Sequence, residues 1–164
     1  MPLLIVAGRT APNRAVVFGG EHDDLDARGR AGVADLAPHL APPSPGRSVR
    51  IGPETSVRRT AEVLGLTGGV DPALASLDVG SWRGLTPEQI PGDDLARWFT
   101  DPAAAPHGGE PVAGFVARIR AAVTQVPADA VLVVAKPVAQ ALLCDGPDRF
   151  FAAELRPASL HRLP

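Results

Sequence analysis

The chain has 164 residues, 45% of them hydrophobic, with a formal net charge of -2. That is enough for one domain with a real core, and with no basic excess it gives no reason to expect a nucleic-acid partner. No apolar run approaches the roughly 18 residues of a membrane span. No basic region precedes a long apolar stretch at the N-terminus, so a cytoplasmic protein is expected. The single cysteine, Cys144, excludes an internal disulfide and fits a reducing compartment. It follows the apolar "ALL" and reads as a packed core thiol.

In chain order, Leu3–Val6 comes first, a short apolar run leading into the turn-rich "AGRTAPN". It reads as a buried strand of a parallel sheet. Ligands of open α/β sheets sit at the carboxyl ends of strands, so Gly8, Arg9, Thr10 and Asn13 are candidate site residues. "AVVF" at 15–18 is a short strand or part of a loop. Asp26 is a plausible N-cap for a helix through Leu40, strained near its end by Pro38. "SVRIGP" at 48–53 is a second strand, and Thr55 or Ser56 then caps a helix that Gly65 ends in the left-handed conformation.

Arg58 and Arg59 fall in the first turns of that helix, where cations are disfavoured. Either they form a solvated basic face, or they join the helix amides in an anion site. Asp78–Gly84 is a glycine-broken loop. Thr86-Pro87 starts a turn, and a short helix covers Asp93–Phe99. Val112–Val123 is the clearest amphipathic helix, with Val112, Phe115, Val116, Ile119 and Val123 on one stripe. Ala130–Ala135 is a second strongly buried strand. Pro137 opens a helix to Leu143, and the C-terminal segment supplies a last strand.

Strands alternating with helices predict a single α/β domain, a three-layer α/β/α sandwich with a mostly parallel central sheet. Lys136 is the only lysine, and it stands at the carboxyl end of a central strand. Its stem packs with its head in solvent, or it belongs to a pocket. The acidic group His22, Asp23, Asp24 and Asp26 has no recognised metal-loop spacing, so no metal or cofactor is expected.

Several stretches resemble motifs of the histidine phosphatase, or phosphoglycerate mutase-like, superfamily, and do so in its order. "IVAGRTAPN" lies over a strand ending Arg-His-Gly-Glu-Thr, with Asn three residues on; Gly8, Thr10 and Asn13 match. "GPETSVRRTAEVLGL" resembles Ser-Pro-x-x-Arg-x-x-Gln-Thr-Ala. "DVGSWRGL" is similar to Asp-x-Gly-x-Trp-Glu-Gly-Leu, "HGGEP" to Pro-Gly-Gly-Glu-Ser, and "VVAKP" to Val-Val-Ser-His-Gly. The resemblance implies the phosphoglycerate mutase-like fold. It also implies a phosphohistidine mechanism whose parts are missing here. The nucleophilic histidine position is Ala7 and its arginine neighbour Val6. The second arginine position is Ser56, the second histidine Lys136, and an acid position Ser76; Glu110 keeps a carboxylate.

Alanine has no nucleophilic atom, so a covalent step cannot run there. The four histidines, at 22, 39, 107 and 161, fall outside both histidine motifs, although His22 and His107 lie in loops able to reach the site. The leading expectation is therefore a degenerate member that binds an anionic or phosphorylated metabolite, or a partner protein. The site set for it is Gly8, Arg9, Thr10, Asn13, Arg58, Arg59, Glu110 and Lys136. Two alternatives stand beside it. One is a repurposed lyase, isomerase or cyclase using Lys136 and Glu110; the other is a phosphatase with a rearranged site. The short segment between the Trp motif and "HGGE" leaves an open pocket, or one completed by a second copy in a homodimer.

Overall fold

The computed structural model describes residues 1–10, 17–41 and 45–164. Its centre is one five-stranded sheet. Strand β1 is Leu3–Val6, β2 Val49–Ile51, β3 Gly69–Val70, β4 Val131–Val134 and β5 Ser159–Arg162. The order is β3-β2-β4-β1-β5. The first four strands run parallel, and β5 pairs with β1 antiparallel. All four residues of β4 are buried, as a strand covered on both faces requires.

The period of two divides the core. Leu4, Val6, Leu132 and Val134 face one cluster, in which α4 (Val112–Val123) contributes Phe115, Val116 and Ile119 and α5 (Lys136–Leu143) contributes Val138. Ile5, Ala7, Val131 and Val133 face the other, with Val57 and Ala61 of α2 (Thr55–Val63). Helices thus cover both faces, giving the expected three layers. Cys144 is buried at the end of α5. Among the described residues, no helix is long and apolar enough to cross a membrane.

Several boundaries move. The helix expected from Asp26 to Leu40 stops early: α1 covers Ala27–Ala34, and a separate 3-10 turn covers Ala37–His39. Pro38 has no N–H for an α-helical bond and fits the short turn instead. Asp26 is the N-cap, its Oδ1 accepting from the Gly29 N–H at 2.6 Å. The second cap is neither Thr55 nor Ser56 but Glu54, whose side chain makes no capping bond. Among the described residues the remaining α-helix, α3, covers Gly92–Thr100. Gly65 takes a φ of 66°, as its place at the end of α2 demands. Val17 and Phe18 are irregular, and the rest of "AVVF" lies outside the described residues. The two-residue β3 was not expected; it is too short to leave a periodic signal.

Candidate functional site

The turn after β1 is fixed by its own small residues. The Gly8 N–H donates to Thr60 Oγ1 at 3.0 Å, and that hydroxyl donates to the Ser56 carbonyl at 2.8 Å. A Cβ on Gly8 would stand 2.6 Å from Val33 Cγ2. Thr60→Val leaves the buried Gly8 N–H without its acceptor. It is expected to lower stability by about 1–3 kcal/mol, with Thr60→Ser recovering most of the loss in urea unfolding.

A cavity of about 480 Å³ opens at the carboxyl ends of β1, β2 and β4, where the topology places a ligand. Thr10 lines it, as do Ser56 and Ser76. Its carboxylates are Glu21, Asp23 and Glu54, and its rings are Phe18, Trp98, Phe150 and Phe151. No Lys or Arg is among its described lining residues.

None of the cations proposed from sequence is among the described residues of this wall. Arg9 Nε donates to Asp26 Oδ2 at 2.8 Å, locking the β1 turn to the start of α1. Arg59 pairs with Glu62 at 2.8 Å and with Asp24 at 3.5 Å. Arg58 faces an adjoining cleft shared with Glu21, His22 and Arg83. Lys136 is exposed at the first position of α5. Glu110 is held in two-pronged fashion by Arg118, at 2.8 and 3.0 Å. Of the eight residues singled out, the structure thus places only Thr10 on the cavity wall; Asn13 lies outside the described residues. Ala7 packs its methyl with Ile5, Ile51 and Val57 and stays off the wall.

The residues that sequence reasoning missed are the acidic and aromatic ones. Glu54 is 6% exposed. Its Oε1 accepts from the Ser76 N–H at 2.5 Å, and its Oε2 has no partner among the described residues. Gly52 makes the room, since a Cβ there would come within 2.9 Å of Oε2. Burial pushes the Glu54 carboxyl above its ordinary range. A raised folded value means stability that is full below pH 4.5 and lost as pH rises through the folded value. Glu54→Gln is therefore expected to be more stable than wild type at pH 7, by about 1 kcal/mol. The gain should vanish below pH 4.5 in paired urea titrations.

Beside the cavity, the "HGGE" loop docks onto the "DVGSW" loop. The Glu110 N–H donates to the Asp78 carbonyl and the Ser81 N–H to the His107 carbonyl, both at 2.9 Å. His107 is 2% exposed and stacks edge-on to Trp82 at 5.1 Å. Its Nδ1 accepts from the Gly109 N–H at 2.9 Å, so the ring is neutral with its proton on Nε2. Burial lowers its pKa. The unfolded chain then binds the extra proton first, so stability falls as pH drops below about 6.5. His107→Phe should flatten that part of the profile. Among the described residues, no three His, Cys, Asp or Glu side chains gather to hold a metal ion.

The model of the histidine phosphatase superfamily, branch 1, matches residues 3–163. The chain belongs to this superfamily. Its fold is shared with a mycobacterial glucosyl-3-phosphoglycerate phosphatase, at 27% identity and a TM-score of 0.76, over 97% of this chain and 87% of that one. A protein described as mycobacterial hydrolase 1 superposes with a TM-score of 0.77 at 26% identity, over 97% and 88%. A phosphoglycerate mutase from Thermus thermophilus does so at 0.75, over 99% and 95%; at 24% identity that likeness concerns the fold alone. No curated protein sequence matches the chain.

Within the superfamily frame, the phosphohistidine position implied by the motif alignment is the core-packed Ala7. Of the other implied substitutions, Ser56 and Ser76 line the cavity, Val6 is buried in the core and Lys136 is exposed.

Proposed function

We propose that this chain is a binding member of the histidine phosphatase superfamily that does not carry out phosphohistidine chemistry. One observation carries the reading: the position matching the nucleophile holds a methyl group packed into the hydrophobic core. Phosphoryl transfer depends on a positioned nucleophile and on cations that gather the phosphoryl oxygens. Neither set is found among the described residues of the cavity wall. A methyl cannot form the covalent intermediate, and carboxylates facing the same space repel a phosphate.

In the adjoining cleft, about 390 Å³ in size, Arg83 is paired with Glu21 at 2.9 Å and with Asp78 at 3.5 Å and Glu54 is a third carboxylate, so an anionic ligand there would rest on Arg58. Phosphate, pyrophosphate and phosphosugars that stabilise the protein against melting, with the effect lost in Arg58→Ala, would identify that version. A repurposed enzyme based on Lys136 and Glu110 draws less support, because Arg118 already occupies both carboxylate oxygens of Glu110.

The direct test is turnover of aryl phosphates and of a broad phosphate-ester panel. The reading predicts rates equal to buffer. Turnover that scales with protein and is lost in His107→Phe or His22→Ala would replace it with a rearranged phosphatase.

A further inference from the structure

We propose that the "HGGE" loop is an acid-released latch: a proton taken up by the buried His107 ring frees this loop from "DVGSW" while the sheet stays folded. The device does not depend on what the cavity holds. It controls how firmly the cavity wall is held, because Val79 lies on the "DVGSW" side of the latch and lines the cavity.

The two loops are locked through their backbones. The His107 carbonyl accepts from the Ser81 N–H at 2.9 Å and from Ser81 Oγ at 3.1 Å, and the Asp78 carbonyl accepts from the Glu110 N–H at 2.9 Å. A Cβ on Gly80 would collide with the His107 carbonyl, and one on Gly109 with the Asp78 carbonyl. Segments in such close backbone contact cannot slide past one another, so they part as a unit.

The His107 ring is the pin. It is 2% exposed, edge-on to Trp82 at 5.1 Å and to Trp98 at 6.2 Å. Its Nδ1 accepts from the Gly109 N–H at 2.9 Å, and its Nε2 has no partner among the described residues. With the proton on Nε2, a second proton can go only to Nδ1. It would meet the Gly109 N–H head-on. The cation would then hold two donors and no acceptor among the described residues, a costly state away from water. The ring reaches water only if the loop lifts, because the His107 carbonyl and the Glu110 N–H on either side of it are themselves docked.

The charges around the ring are few. Asp78 is the charged group that acts on it, and it favours the protonated form. Its carboxylate lies 3.5 Å from Arg83. Glu110, on the same loop as His107, is held by Arg118. The charged residues of α3 and its end, Asp93, Asp94, Arg97 and Asp101, do not shift the ring's titration. Burial outweighs Asp78 and lowers the docked ring's pKa below the ordinary 6.5. Docking is therefore fully favoured above pH 6.5 and weakens as pH falls.

Amide hydrogen exchange of Ser81 and Glu110, followed against pH at several urea concentrations below the unfolding transition, tests the latch. Opening that takes up one proton should lower the protection of both amides by up to about tenfold between pH 6 and pH 5, after correction for intrinsic rates. That protection should not respond to urea, whereas the Leu132 and Val133 amides of β4 should be more protected and lose protection as urea rises. His107→Gln, which does not titrate, should remove the pH dependence. If that variant does not fold, Asp78→Asn serves instead: it keeps an acceptor for the Gly80 N–H, removes the charge that favours protonation, and should move the fall to lower pH. Protection of Ser81 and Glu110 that ignores pH, that falls with urea in step with β4, that keeps its pH dependence in His107→Gln, or that falls at an unchanged pH in Asp78→Asn overturns the proposal.

Discussion

Phe115→Ala is expected to cost about 3–5 kcal/mol of folding stability, the range for deleting a fully buried aromatic ring. Phe115 is fully buried on the sheet-facing side of α4. Its ring meets Phe150 edge-on at 6.0 Å, and the Arg118 guanidinium lies 5.2 Å from its centroid. Loss of the ring therefore reaches two functional features. Phe150 lines the cavity, and Arg118 anchors Glu110 and the carbonyls of Ala73 and Ala75. Urea unfolding should show a lower midpoint with an unchanged slope. Phe115→Leu should recover about half of the loss, because it refills much of the cavity left behind.

Gly29→Ala is the second large effect, expected at about 3 kcal/mol, toward the upper end of what overpacking costs. A Cβ there would stand 1.9 Å from the Arg9 carbonyl oxygen and 2.9 Å from its carbon. Both are backbone atoms in the turn that β1 feeds, so no side chain can swing aside. α1 must move away from that turn, which breaks the Asp26 cap and the Arg9–Asp26 pair. Gly32→Ala, in the same helix, is the control. Its Cβ meets only Ala158 Cβ, at an ordinary 3.7 Å, so replacing a helical glycine should stabilise by up to about 1 kcal/mol. Opposite signs for two glycines three residues apart would establish that the β1 turn is built on close backbone approach. Equal signs would refute it.

The architecture was legible because its signals are local and repetitive. Leu3–Val6 and Ala130–Ala135 are apolar on both faces, and Val112–Val123 carries a clean stripe, so strand and helix types followed from periodicity. The helix read through Leu40 shows where that method weakens: apolar residues continue at helical spacing past Ala34, but Pro38 forces a tighter turn. The cap on α2 is Glu54 and not Thr55 or Ser56 for a tertiary reason. The Glu54 carboxylate bonds to the Ser76 N–H, 22 residues away, instead of its own helix.

The candidate site was less legible. Arg9, Arg58, Arg59 and Lys136 lie near strand ends in sequence, but partner choice is decided in space. Asp26 claims Arg9, Glu62 claims Arg59, and Arg118 claims Glu110. The wall residues Glu21 and Asp23 sit in a polar stretch that reads equally well as a solvated turn, and Trp98 falls in a short helix whose pattern does not say which side faces a cavity. Their common cavity exists only once the chain is folded.

The central claim, that this superfamily member forms no phosphohistidine, is tested most directly by intact mass after incubation with acetyl phosphate and with a panel of phosphate esters. The account predicts an unchanged mass in every case, in wild type and in His107→Phe alike. A stoichiometric phosphate adduct that is acid-labile, alkali-stable and mapped to a histidine facing the cavity would contradict it.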